Sequence, residues 1–395
     1  MRIHLFDPQV NRFDGHYAAY DAAIIAEVTR RGFDTALYGN IRQTSSISAT
    51  LHIEPVFRRG MFEEVATDPL VWGLENFVQL GREFAEDLGG LGIERFHDDD
   101  LAFFPNIIQY QIDGVRQWLS ALPSGRRPKA VLKLSYLTHA MPYLQLRANK
   151  EIIPLLYRFA MRRLVADHPR TRICTDTEEM ARQFSLIAGV PVELVPLPLS
   201  FDAVSPTSHN GSPLRVAYLG HASPLKGFHI LPEVITRIVA SKDPVHFLVQ
   251  CYGDGQLCAD LESACSRVPA ESLSLIRGAV EADRYRELLA SSDIILLPYA
   301  REFYGWASSG IFAEAMSGAK VVITTEGTWP AAQLARFGGG GITVKNVNGE
   351  AIAEAIRRAA RGFSELKRRA TKAVSAWKSY HSASALVDRL LAIPA

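Results

Sequence analysis

Strand and helix patterns alternate along this chain, and the alternation breaks once. Arg2–Phe6 reads as a strand, Tyr17–Arg31 as a helix closed by Gly32, and Thr35–Leu37 as a short second strand. Helical stretches follow around Phe62–Glu64 and over Val71–Leu88, then the acidic run His97–Asp100 and a strand Leu101–Phe104. Further pairs follow up to the strand Val192–Val195. Such alternation predicts an α/β protein with parallel sheets. Pro196-Leu197-Pro198 and the run Ser205–Pro213 then interrupt it with breakers and polar residues, which marks an interdomain linker. The alternation restarts at the strand Arg215–Leu219. It ends in long helices from Gly349 onward. Each half therefore reads as its own doubly wound unit.

Composition narrows the class. With 395 residues, the chain has room for two or three domains. Its 48% apolar and 22% charged residues fit a globular protein, and a formal net charge of +1 supplies no bulk attraction to nucleic acid. Asp7 interrupts the first apolar run too early for a signal-peptide core, and no run approaches the ~18 apolar residues of a spanning helix. The four cysteines, Cys174, Cys251, Cys258 and Cys265, form no Cys-x-x-Cys pair and no zinc spacing. Reduced thiols in a cytoplasmic protein are expected.

The stretch Ser292–Thr324 carries the most chemistry. An apolar strand, Ile294–Leu297, ends in Pro298. A loop with Gly305, Ser308, Ser309 and Gly310 follows, and a short helix opens and carries Glu314. A loop of small residues feeding a helix N-terminus directs unpaired N–H groups at one spot, which suits a diphosphate. A carboxylate about one turn further on can reach the ribose of the same nucleotide. Three weaker features precede it. Leu219–Gly227 ends a strand in Gly220 and carries Lys226 just before the next helix, where a point charge suits phosphate oxygens. Gly253-Asp254-Gly255 lets a backbone come close to a neighbour. Gly278-Ala279-Val280 ends a strand where backbone groups could meet a nucleobase edge. Taken singly, a surface lysine or an ordinary turn explains each of the three.

In this order and with these gaps, the four motifs resemble the second domain of the large retaining GT-B glycosyltransferase family that includes sucrose and glycogen synthases. Lys226-Gly227, Gly253-Asp254-Gly255, Leu297-Pro298 and Glu314-Ala315-Met316 match the family run. The resemblance covers Arg215–Val344 well, Arg172–Asp202 fairly, and the first 150 residues only in outline. It implies two Rossmann-like domains facing across a cleft, over residues 1–204 and 213–377, with a C-terminal helix (about 378–395) crossing back to complete the first. It also implies roles. Lys226 would neutralise the diphosphate, with His221 at the family's arginine position. Ser309, Gly310 and Ile311 would add donors, and Glu314 would hold the ribose. The nucleotide site would also include Gly15, Gly253, Gly278, Ala279 and Val280. His16, at the first strand's loop, joins Lys226 and Glu302 as a catalytic candidate, and Asn106 and His139 are acceptor candidates.

The sequence departs from the family at one acid. The family's first glutamate, eight residues before Glu314, falls on Trp306, while Glu302 lies twelve before it. Either residue could face the transferred sugar. The expected activity is retaining transfer of a hexosyl-type sugar from a nucleoside-diphosphate sugar to a glycan, glycolipid or small metabolite, without metal or cofactor. A sugar-nucleotide epimerase or hydrolase, or a non-catalytic nucleotide-sugar-binding protein, is the alternative. Asp98-Asp99-Asp100 reads as a solvated turn and not as a metal clamp. The helix Ile152–Val165, with Arg158, Arg162 and Arg163, reads as packed on its sheet or, alternatively, as a peripheral contact with the inner face of a membrane.

Overall fold

The computed structural model describes residues 1–11, 17–61, 63–68, 71–135, 151–198 and 213–392. These divide into two compact units, Met1–Leu199 with His381–Ala395, and Ser200–Tyr380.

The first unit is built on seven strands among the described residues: β1 (Arg2–Phe6), β2 (Asp34–Asn40), β3 (Ile53–Phe57), β4 (Leu101–Ile107), β5 (Lys129–Leu134), β6 (Thr171–Thr175) and β7 (Glu193–Leu194). They pair in parallel in the order β3-β2-β1-β4-β5-β6-β7. Every residue of β4 is buried, as a parallel strand covered on both faces requires. Phe6 stacks on both Tyr38 and Phe104 with ring centroids 4.8 Å apart, joining three neighbouring strands in one aromatic layer. The helix Ala383–Leu391 belongs to this unit. Leu386, Val387 and Leu390 are buried, and Arg31 donates to Asp388 Oδ1 (2.6 Å) and Ser384 Oγ (2.8 Å). His381 Nδ1 accepts the Leu197 amide at 3.1 Å, fixing the chain where it enters that helix.

Three local readings change. The second strand runs over Asp34–Asn40, and a helix Ser45–Leu51 and strand β3 follow it. No helix forms at Glu63 and Glu64. The Glu63 carboxylate instead accepts the Gly60 amide at 3.0 Å and pairs with Arg42, so a local side-chain bond replaces a helical turn. Asp100 is not solvated. It is buried, accepts the amides of Arg2 (2.7 Å) and His97 (3.0 Å), and lies 3.5 Å from His4 Nε2. Of the expected linker, Pro196-Leu197-Pro198 and Pro213 are described and form no helix or strand, while 205–212 lie outside the described residues.

The second unit has six strands among the described residues: β8 (Leu214–Tyr218), β9 (Val245–Cys251), β10 (Leu273–Arg277), β11 (Ile294–Leu297), β12 (Val321–Thr325) and β13 (Gly341–Val344). All pair in parallel in the order β10-β9-β8-β11-β12-β13. Chain progress reverses between β8 and β11. Open α/β sheets bind ligands outside the carboxyl ends of the strands at such a reversal. Under the sheet, Val216, Phe247, Ile294 and Ile323 pack with Val234, Ile235, Ile352 and Ile356 of the helices Leu231–Ala240 and Gly349–Arg361. On the other face, Trp377 of the helix Phe363–Tyr380 is fully buried among Phe312, Trp329 and Phe337.

Candidate functional site

The chain reversal of the second unit brings the sequence motifs together. After β8, Gly220 has φ +100°, and a Cβ there would lie 2.7 Å from Ile311 Cδ1 and 3.7 Å from Lys226 Nζ. Lys226, Gly220 and Ile311 therefore meet at one point, on the carboxyl ends of β8 and β11. Lys226 ends a short 3₁₀ turn, Pro224–Lys226, whose Ser223 side chain accepts the Leu225 amide. Gly227 closes the turn at φ +71°, where a Cβ would lie 2.2 Å from Pro298 O. Only glycine fits that approach. The Lys226 ammonium is half-buried and makes no hydrogen bond or ion pair among the described residues. Burial pushes its pKa down from the ordinary lysine value.

Ser309 caps the helix Gly310–Ser317, its Oγ accepting the Phe312 amide and lying 3.2 Å from the Tyr299 hydroxyl. The amides of Gly310 and Ile311 open that helix. Glu314 stands one turn in, and Tyr285 donates its hydroxyl to Glu314 Oε2 at 2.5 Å. Burial raises the Glu314 pKa to about 7 against the pull of that bond. Lys226 thus meets Ile311 of the helix that Ser309 caps, and Glu314 stands one turn into that helix, a geometry able to take a diphosphate and a neighbouring hydroxyl pair.

Two residues that sequence reading missed organise the site. Gln250 is buried at the end of β9. Its side chain accepts the Gly220 amide at 2.8 Å and donates to Gly278 O at 3.1 Å. One amide side chain thereby sets two of the predicted loops against each other. Tyr285, from the helix Ala282–Ser291, is the second. Neither lies in a motif, and only tertiary contact reveals them.

The other predicted residues fall as follows. Gly253 has φ +118°, and a Cβ there would strike the His221 ring at 2.5 Å, so the glycine is required by His221. His221 is exposed and packs edge-on to Tyr252, with centroids 5.6 Å apart. Gly278, at φ +78°, follows β10 and leads into Ala279 and Val280. Glu302 is exposed in the short helix Arg301–Tyr304 and lines a cavity with Arg301 and Lys345, whose walls include none of Lys226, Ser309 or Glu314. Trp306 is buried and donates its indole N–H to Glu302 O at 3.1 Å. Gly15, His16 and His139 lie outside the described residues.

Asn106 is buried in the first unit, at the carboxyl end of β4. It donates to Asp7 Oδ2 at 2.8 Å and accepts from Ser135 Oγ at 2.8 Å. Lys133 Nζ continues the network to Ser135 Oγ (3.1 Å) and Asp176 Oδ2 (3.2 Å) and lies 5.3 Å from the Tyr20 ring centre. Asp21 is fully buried beside these groups, and neither of its carboxylate oxygens has a hydrogen-bond partner. Burial raises Asp7 to about 6 and pushes Asp21 well above the usual carboxylate range. Among the described residues no group of His, Cys, Asp or Glu is arranged to hold a metal ion, and no helix is long and apolar enough to cross a membrane.

Residues 213–361 match the family model described as "Glycosyl transferases group 1". No curated protein sequence matches the chain. Among solved structures, HepE of Anabaena in complex with UDP and glucose is similar over 99% of this chain and 98% of its own, at 14% identity and a TM-score of 0.63. Sucrose-phosphate synthase of Thermosynechococcus elongatus matches over 99% and 97%, at 12% identity and 0.68. A UDP-forming trehalose-phosphate synthase of Burkholderia xenovorans matches over 99% and 98%, at 12% and 0.67. At these identities the likeness is one of fold. Residues 213–361 thus match a glycosyl transferases group 1 domain, within a chain of the GT-B fold.

Proposed function

We propose that the protein transfers a hexosyl-type sugar from a nucleoside-diphosphate sugar, with retention at the anomeric carbon. The observation that carries this reading is the unpartnered, half-buried Lys226 ammonium beside Gly220 and Ile311, at the start of the helix that Ser309 caps. A cation and two helix amides at one point match the charge that grows on a departing diphosphate. Glu314 takes the ribose hydroxyls. UDP, bound by HepE in its solved complex, is the first nucleotide to test.

In this reading the diphosphate charge is met by Lys226 and backbone amides, so no metal is required. Glu302 is the carboxylate available to orient the transferred sugar. Trp306, buried beneath Glu302, supports that loop through its bond to Glu302 O. The first unit supplies the acceptor site. A donor panel scored by nucleotide release, with and without sugar acceptors, tests the reading. Acceptor-dependent release supports transfer. Release that ignores acceptors supports hydrolysis, and UDP binding without any turnover supports a binding protein.

A peripheral contact with the cytoplasmic face of a membrane is supported by one surface of the helix Ile152–Asp167. Leu155 is 63% exposed and Phe159 46%, and Arg163 lies over the Phe159 ring at 4.9 Å, with Arg158 and Arg162 exposed beside them. Apolar and basic side chains on one face suit an anionic lipid surface. Vesicles with anionic lipid should co-sediment the protein, and Leu155→Glu with Phe159→Glu should abolish this. Equal binding by that variant would remove the contact.

A further inference from the structure

A cavity of about 430 Å³ opens in the second unit at the carboxyl ends of β11, β12 and β13. Gly227, His229, Arg301, Glu302, Thr325 and Lys345 are in its wall, whereas Lys226, Ser309, Ile311 and Glu314 are not. Its size falls in the range of small-molecule sites, ~300–1,000 Å³.

The walls are fixed by the fold. On one side, the Ala300 amide donates to Leu225 O at 2.9 Å, and Gly227 seats against Pro298, so two loops act as one. On the other, Arg301 Nη2 donates to Lys345 O at 2.9 Å and ties the short helix Arg301–Tyr304 to the turn after β13. That turn ends at Asn348, which lines the cavity and caps the helix Gly349–Arg361 by accepting the Ala351 amide at 2.8 Å. The positive end of a 13-residue helix therefore stands at the cavity.

The chemistry of the lining is specific. Arg301 and Lys345 bring two basic side chains and His229 an imidazole, against the single acidic side chain of Glu302. The side chains of Lys345, His229 and Glu302 make no hydrogen bond or ion pair among the described residues. Thr325 is fully buried, and its Oγ1 has no hydrogen-bond partner. A buried hydroxyl left unpaired is destabilising, so a polar ligand group reaching it would recover a bond the protein itself does not make. Cations and a helix start favour an anion, while the carboxylate and the hydroxyl favour a partner bearing hydroxyls.

We infer that this cavity is a second ligand site, apart from the Lys226–Glu314 group, and that it takes a phosphate monoester on a hydroxylated body, such as a sugar or polyol phosphate. Lys345 and Arg301 flank the phosphate, and Glu302 and Thr325 meet hydroxyls. Glu302 is the edge shared with the proposed sugar position, so the two ligands lie side by side and not in one place.

The test is calorimetry with glucose 6-phosphate at millimolar concentration, on the full chain, alone and saturated with UDP. The expected result is binding that persists with UDP present, is weaker for inorganic phosphate, and is undetectable for glucose. Lys345→Ala should weaken glucose 6-phosphate at least tenfold and leave UDP affinity unchanged. Thr325→Val should weaken it less. Displacement by UDP would assign the anion to the diphosphate site and overturn the inference. So would Lys345→Ala binding like the parent, or no binding at all. Because the titration without UDP stands alone, a failure of the nucleotide reading leaves this test intact.

Discussion

Tyr285 and Glu314, 29 residues apart, share a 2.5 Å hydrogen bond that joins the helix Ala282–Ser291 to the helix Gly310–Ser317. The bond gives a buried carboxylate its one donor among the described residues. Removing the hydroxyl leaves that carboxylate desolvated and unmatched. Tyr285→Phe should therefore destabilise the fold by ~1–3 kcal/mol. Urea midpoints at pH 8, where Glu314 is ionised, should show the loss. The loss should shrink at pH 5, where the carboxyl is protonated.

Glu314 also predicts a pH effect on binding. Its pKa rises from the ordinary 4.5 to about 7 because burial disfavours the charge. Between those values the native state holds a proton that the unfolded chain has lost. This group's contribution to stability is thus complete at low pH and falls as pH rises through 7. Ribose hydroxyls donating to Glu314 would favour the ionised form. UDP binding near pH 6.5 should then release protons, seen as a dependence of the calorimetric heat on buffer ionisation enthalpy. Glu314→Gln should remove that dependence.

The polar network of the first unit predicts a large structural effect. Lys133 is the cation among Asp7, Asp21 and Asp176, all four of them buried. Lys133→Met leaves the carboxylates without it and should cost ~3–5 kcal/mol. The cost should be larger at pH 8 than at pH 5, where Asp7, raised to about 6 by burial, can take a proton. Denaturation midpoints at the two pH values would show it, and a variant as stable as the parent at pH 8 would remove Lys133 from this role.

The alternation of strand and helix made both parallel sheets legible, because each strand's apolar run is set by burial on two faces. The stretch between β2 and β4 was less legible. Ser45–Leu51 has no strong helical period, and β3 contains Pro55. Asp100 looked solvated because its partners, Arg2 and His4, are distant in sequence. Lys226, Ser309 and Glu314 were legible because a strand end, a cap and a helix stand in fixed order. Gln250 and Tyr285 were not, since each acts through a contact with a remote loop. The loop Glu302–Trp306 gave two candidates for one role. The structure buries Trp306 and leaves Glu302 exposed, a distinction that depends on the short helix Arg301–Tyr304.

The central claim is that the Lys226–Ser309–Glu314 group holds a nucleoside diphosphate. Calorimetric titration of UDP, GDP and ADP into the parent and into Lys226→Ala tests it most directly. The account predicts that the parent binds at least one of them and that Lys226→Ala binds it more weakly by ~1.5–3 kcal/mol, the range of a charge-assisted contact. Unchanged affinity in Lys226→Ala, or no binding of any diphosphate by the parent, would contradict it.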